Sequence, residues 1–129
     1  MARSVKVLQN MTKTALIVDD EPDLAEGCAL LLQRAGFDFH LAFSVEQAIR
    51  VLGSLRPAVV LSDINFPGRQ DGFDLATHVR KRYPQMPVIL MTGYHSPAIE
   101  AQVRDAGAAF LRKPFTADEL IFAVQAALP

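Results

Sequence analysis

The sequence predicts an α/β domain, a doubly wound parallel sheet of five strands with helices on both faces. Three observations carry this reading. Five short apolar runs with strand-like composition are spaced along the chain, and the segments between them repeat apolar residues at helical spacing. Two of the runs, AVVLS and VILM, are apolar on nearly consecutive residues, as strands covered on both faces must be. Strand then helix, repeated five times, calls for right-handed crossovers and therefore a parallel sheet.

The first strand is expected at Thr14–Val18 and runs into Asp19, Asp20, Glu21 and Pro22, a proline suited to a first helical position. Leu24, Cys28, Leu31 and Leu32 mark the apolar side of the helix that follows, and Gly36 stands where that helix would end. The second strand is expected at Phe37–Leu41, and Ser44 with Gln47 fits a capping box that opens the next helix. The third strand is expected at Ala58–Leu61 and the fourth at Pro87–Met91, with a helically spaced segment between them. Ser96 and Pro97 open another helix, and Gly107 stands at its end. The fifth strand is expected at Ala109–Leu111, and Thr116 with Glu119 caps the last helix.

At 129 residues, with 50% apolar and 21% charged residues, the chain has the size and composition of one soluble globular domain. That domain is expected over residues 14–129, preceded by a loose extension of residues 1–13. A net charge of -1 gives no general attraction to nucleic acid or to an anionic membrane. No apolar run reaches membrane-spanning length, and residues 1–13 lack the apolar core of a secretion signal. Cys28 is the one cysteine, so an internal disulfide is excluded and a reducing, cytoplasmic setting is expected. Its place in an apolar helical pattern makes it a packed thiol rather than a nucleophile.

In open parallel sheets, ligands bind beyond the carboxyl ends of the strands, where the strand order reverses. The residues just past the strands are Asp19 and Asp20 after the first, Asp63 after the third, Thr92 after the fourth, and Lys113 with Pro114 after the fifth; the second offers only Ala42 and Phe43. The stretch LIVDDEPD crowds three carboxylates at one strand end, a repulsive arrangement unless a cation or solvent relieves it. Acids at a helix N-terminus, favoured by its dipole, are one reading. Asp19, Asp20 and Asp63 converging as oxygen ligands for a hard divalent cation such as Mg²⁺ are the other. Thr92 and Lys113 would face the same rim and suit an anion. A carboxylate nucleophile, a divalent metal, a hydroxyl and a lysine together make the set that moves a phosphoryl group. Asp63, alone on a central strand, is the best nucleophile.

The motifs VDDEPD at 18–23, LSDINFPG at 61–68, MTGYH at 91–95 and LRKPF at 111–115 resemble those of response-regulator receiver domains of two-component signalling. Order and spacing both fit over residues 14–128. The resemblance implies a flavodoxin-like (βα)5 fold with strand order 2-1-3-4-5. It implies that Asp63 accepts phosphate from the phosphohistidine of a sensor histidine kinase or histidine phosphotransfer protein. Asp20 would bind Mg²⁺, or Mn²⁺ in its place, directly, Asp19 largely through water, and Asn65 through its backbone carbonyl. Thr92 would hydrogen-bond the phosphoryl oxygen and Lys113 would pair with it. Phe110 would be the aromatic whose rotamer follows the Thr92 shift, and the Lys113–Pro114 bond would be cis. The surface of the fourth helix, fifth strand and fifth helix would then change its affinity for a partner or for a second copy. The chain would be no enzyme in the general sense, catalysing only its own phosphorylation and dephosphorylation.

The chain departs from the family in one loop. Phe66 replaces the frequent Met, and Gly68-Arg69-Gln70 adds one residue before Asp71-Gly72, either a tolerated insertion or a change in access for water and kinase. Tyr94 stands where the family borders the phosphoryl group, either shielding the path of water or exposed as a loop aromatic. Phe110 is either core or a two-position switch. His40, His78 and His95 read as ordinary surface or rim residues, with His95 alone near the site.

Two other function classes compete. A receiver-shaped interaction module that works without phosphorylation has no need of the full set Asp19, Asp20, Asp63, Thr92 and Lys113. A phosphatase of the haloacid-dehalogenase type would carry Asp-x-Asp on its first strand and a cap segment, and neither is present; no Gly-rich nucleotide signature is present either. The pattern ends at Pro129 with no room for an output domain in these residues, so a stand-alone receiver and one domain of a longer chain are both open.

Overall fold

The structure, a computed structural model, describes residues 13–129. The expected extension therefore lies outside the described residues, Lys13 excepted. Strands and helices alternate as β1 (Thr14–Val18), α1 (Pro22–Arg34), β2 (Asp38–Ala42), α2 (Val45–Leu52), β3 (Val59–Asp63), α3 (Gly72–Arg82), β4 (Val88–Thr92), α4 (Pro97–Asp105), β5 (Ala109–Arg112) and α5 (Ala117–Ala127). All pairings are parallel, in the order β2-β1-β3-β4-β5. This is the doubly wound fold and the strand order that the sequence implied.

β1 and β4, and β3 up to its last residue, are buried almost throughout, whereas the edge strands β2 and β5 are largely exposed. Central strands of a parallel sheet are covered on both faces, which is why their sequences read as unbroken apolar runs. Alternation of side chains sends Ala15, Ile17, Leu61, Ile89, Met91 and Leu111 to one core, completed by α1 and α5. Leu16, Val18, Val60, Val88 and Leu90 go to the other, completed by α2, α3 and α4.

Helix ends follow the local chemistry. Gly36 and Gly107 take φ of +95° and +75°, and each closes a helix by paired backbone bonds: Gly36 N–H to Gln33 O with Phe37 N–H to Leu32 O, and Gly107 N–H to Arg104 O with Ala108 N–H to Val103 O. Pro97 opens α4 behind its cap Ser96, and Thr116 with Glu119 forms a complete capping box. The Ser44–Gln47 box is only half realised. Ser44 accepts from Gln47 N–H, but the Gln47 side chain accepts from Phe43 N–H rather than from Ser44. A second full box, Asp71 with Asp74, caps α3; its signal, an acid three residues before another, was available in the sequence.

Three strands sit later than expected: β2 by one residue, β4 by one, and β3 by one at its start and two at its end. Asp63 and Thr92 are thus the last residues of β3 and β4 rather than residues beyond them. Composition could not place these ends, because the ladder continues as long as a neighbour supplies partners, whatever the side chain.

Candidate functional site

Register brings the site together. Val18 lies opposite Ser62, so Asp19 is level with Asp63; Asp63 lies opposite Met91, which puts Thr92 one step further; Thr92 lies opposite Arg112, which puts Lys113 just past it. The ladder extends across these ends through Asp19 N–H to Ala42 O, Ile64 N–H to Met91 O and Lys113 N–H to Thr92 O, at 2.9–3.0 Å.

Lys113 is the hub. Its Nζ lies 3.3 Å from Asp19 Oδ2 and 3.3 Å from Asp63 Oδ2, with side chains 22%, 2% and 13% exposed respectively. Asp20 closes the acidic set: ligand oxygens of Asp19, Asp20 and Asp63 all lie within 4.8 Å of one another. One cleft is lined by Asp20, Glu21, Asp63, Asn65, Thr92 and Lys113, with Phe66, Pro67 and Tyr94 at its border. Every charged and hydroxyl residue expected at the rim is therefore in one place. The peptide between Lys113 and Pro114 is cis.

Burial raises the Asp63 carboxyl above the ordinary carboxylate range; Lys113 opposes this, Asp19 adds to it, and a backbone hydrogen bond from Asn65 opposes it. For Lys113, burial alone would lower the pKa, but Asp63 and Asp19 outweigh it and hold the ammonium above its usual value. The Cys28 thiol is raised by burial, which fits a packed side chain.

Three contacts were not legible in the sequence because they involve backbone groups. Thr92 Oγ1 accepts the Tyr94 N–H at 3.0 Å, so the hydroxyl is tied to the turn that opens α4. Asp19 Oδ1 accepts the Glu21 N–H at 3.0 Å, which orients the most buried acid and leaves Oδ2 for Lys113. Glu21 itself gives no side-chain cap to α1, so capping does not account for the acids as a group. Gly72 packs directly against the Asp63–Ile64 backbone, and its N–H donates to Ile64 O at 2.8 Å. Tyr94 is 73% exposed. Phe110 is half-buried against the core under α4.

The family described as the response regulator receiver domain matches residues 15–125. The chain belongs to that family. Among solved structures, this receiver domain is similar to the chemotaxis protein CheY4 of Vibrio cholerae, with 28% identity over 91% of this chain and 99% of that one and a TM-score of 0.85. It is 33% identical to the receiver domain of NtrX from Brucella abortus, covering 88% of this chain and 97% of that one, with a TM-score of 0.83. It is also 28% identical to the signal receiver domain of a signal transduction histidine kinase from Syntrophus aciditrophicus, covering 90% and 89%, with a TM-score of 0.81.

Receiver domains bind Mg²⁺ at an acidic site, and the all-oxygen set Asp19, Asp20 and Asp63 suits that ion. Adding Mg²⁺ is expected to raise the melting temperature, by about 2.7 kcal/mol of stability when free metal is 100-fold above Kd. Differential scanning calorimetry with and without a chelator checks this, and an Asp20→Ala variant that kept the full gain would count against the site. None of the described helices is long and apolar enough to cross a membrane.

Proposed function

We propose that this receiver domain takes a phosphoryl group on Asp63 from the phosphohistidine of a sensor histidine kinase or a histidine phosphotransfer protein. The observation that supports it most is Lys113 set 3.3 Å from both Asp19 and Asp63, with Thr92 in the same cleft. A binding surface alone has no use for an acid held above its ordinary pKa beside a lysine and a hydroxyl.

The Asp63 carboxylate attacks phosphorus, the P–N bond to the donor imidazole breaks, and the imidazole nitrogen leaves with the electron pair. The product is an acyl phosphate carrying about two negative charges beside Asp19 and Asp20. Lys113 shifts from bridging two carboxylates to pairing with the phosphoryl oxygens, and the Thr92 hydroxyl donates to one of them. Asp19, Asp20, Asp63 and the Asn65 carbonyl would hold Mg²⁺, whose charge would offset that of the equatorial phosphoryl oxygens. The domain's catalysis is confined to its own phosphorylation and dephosphorylation.

Strand alternation supports the output. Asp63 and Asp19 continue the side-chain parity of the core under α1 and α5, whereas Thr92 and Phe110 share the parity of the core under α4. Movement of the Thr92 hydroxyl towards a phosphoryl group acts on the α4 side of the sheet. The α4–β5–α5 surface then changes its affinity for a partner or for a second copy of the domain.

Intact mass after incubation with a small phosphodonor tests the proposal. The expected result is a gain of one phosphoryl group that requires Mg²⁺. No gain in a folded protein that binds Mg²⁺ would instead favour an interaction module that works without phosphorylation. Lys113→Ala is expected to fold and to accept phosphate, yet to lose most of the phosphorylation-dependent change in the NMR spectrum of α4 and β5. A full response in that variant would remove the lysine from the coupling.

A further inference from the structure

We propose that His95 is a positioning residue for the Thr92–Phe110 pair, a latch that holds Phe110 and the first turn of α4 together in the unphosphorylated domain. The inference rests on the phosphoacceptor reading of Asp63 for its consequence, but the latch itself stands on three contacts.

His95 Nε2 lies 3.1 Å from Glu100 Oε1, which joins the β4–α4 turn to the first turn of α4. The same imidazole packs on Phe110 of β5, with ring centroids 5.7 Å apart and planes tilted by 50°. The residue just before it, Tyr94, donates its N–H to Thr92 Oγ1. One five-residue turn, from Thr92 to Ser96, thus touches the phosphoryl-facing hydroxyl at one end, the aromatic of the neighbouring strand in its middle, and the cap of α4 at the other end, where Ser96 accepts from Ile99 N–H.

The helix so held is weakly anchored otherwise. Val103 is the one fully buried residue of α4, whereas α1, α3 and α5 each bury two or more. At its far end α4 is tied by Arg80, which donates to Asp105 O at 2.8 Å. At its near end Ile99 is half-buried against the core, and His95–Glu100 adds a polar tie to a side chain outside the helix and its cap. A helix with one fully buried residue, its other core contacts Ile99 and Ala106 only half-buried, moves at lower cost than one with several, so a contact outside the core can set its position. For Phe110 to leave its half-buried place, His95 must give up the ring contact, and Glu100 holds His95 against doing so. The latch therefore favours the unphosphorylated arrangement and opposes the shift that phosphorylation drives.

The test compares the unaltered chain with His95→Ala, Glu100→Ala and the double variant. Two quantities are read: the Phe110 χ1 populations by NMR without any donor, and the affinity for beryllofluoride with Mg²⁺. His95→Ala is expected to broaden the Phe110 rotamer distribution and to tighten beryllofluoride binding about two- to fivefold, the range that one partly exposed polar side-chain contact spans. Glu100→Ala is expected to act in the same direction with a smaller effect, and the double variant to match His95→Ala alone. Unchanged Phe110 populations in His95→Ala, or additive effects in the double variant, would overturn the latch. Failure of the unaltered chain to bind beryllofluoride would count against the phosphoacceptor reading instead, and the rotamer measurement, made without donor, still decides the latch.

Discussion

Asp63→Asn is expected to abolish phosphoryl incorporation and, in the absence of metal, to raise the melting temperature at neutral pH. The loss follows from the chemistry, because the amide offers no anionic oxygen to attack phosphorus. The gain follows from the charge. Burial holds the Asp63 carboxyl above its ordinary range, so the folded state binds this proton more tightly than the unfolded chain does. Ionised Asp63 therefore lowers stability at every pH above its raised folded value. The penalty fades as pH falls from that value towards the ordinary carboxylate range. The stability advantage of Asp63→Asn should accordingly be full at pH 7 and shrink on acidification. Thermal melts at several pH values, alongside intact mass with a phosphodonor, read both effects. A variant that is less stable than the parent at pH 7 would contradict the electrostatic account, while residual labelling would move the acceptor to another residue.

Gly72→Ala is expected to be among the most damaging single-methyl changes in the domain. A Cβ at that position would stand 2.8 Å from the Ile64 Cα and closer still to the Asp63 carbonyl oxygen, and both are backbone atoms that cannot swing aside. The collision displaces Asp63, which carries the proposed acceptor carboxylate. Forced overpacking of this kind costs about 2–3 kcal/mol, on the order of 10 °C in Tm, and phosphorylation should fall with it. Gly27→Ala supplies the contrast. Gly27 lies inside α1 with open space around its missing Cβ, so the same change there should stabilise by about 0.5–1 kcal/mol. Chemical denaturation of the two variants checks the opposite signs; a neutral Gly72→Ala would show that the end of β3 yields more easily than a backbone contact implies.

Much of this was legible beforehand. The five repeats and the buried central strands follow from runs such as VILM, since only a strand covered on both sides keeps apolar residues at consecutive positions. The rim set followed too, because the parallel fold sends every strand end to one side and the chemistry of Asp19, Asp20, Asp63, Thr92 and Lys113 then reads as a group. Strand ends were misplaced by one or two residues because Asp63 and Thr92 are polar yet still take part in the ladder, which hydrogen bonding decides and hydropathy does not record. The capping of α3 by Asp71 and Asp74 was present in the sequence as a recognisable spacing.

The residues taken alone determined the order of elements, the identity of the charged and hydroxyl groups at the rim, and the family to which their motifs belong. Tertiary structure decided how those groups are wired. Lys113 bridging Asp19 and Asp63, the Tyr94 N–H on Thr92, the closeness of Gly72 to the Asp63 backbone, and His95 between Glu100 and Phe110 all depend on register and on backbone atoms. The physical reason is one of range. Periodicity and side-chain chemistry are local properties that sequence carries directly. A contact at 3 Å between residues dozens of positions apart exists only once the sheet has set which strand ends stand side by side.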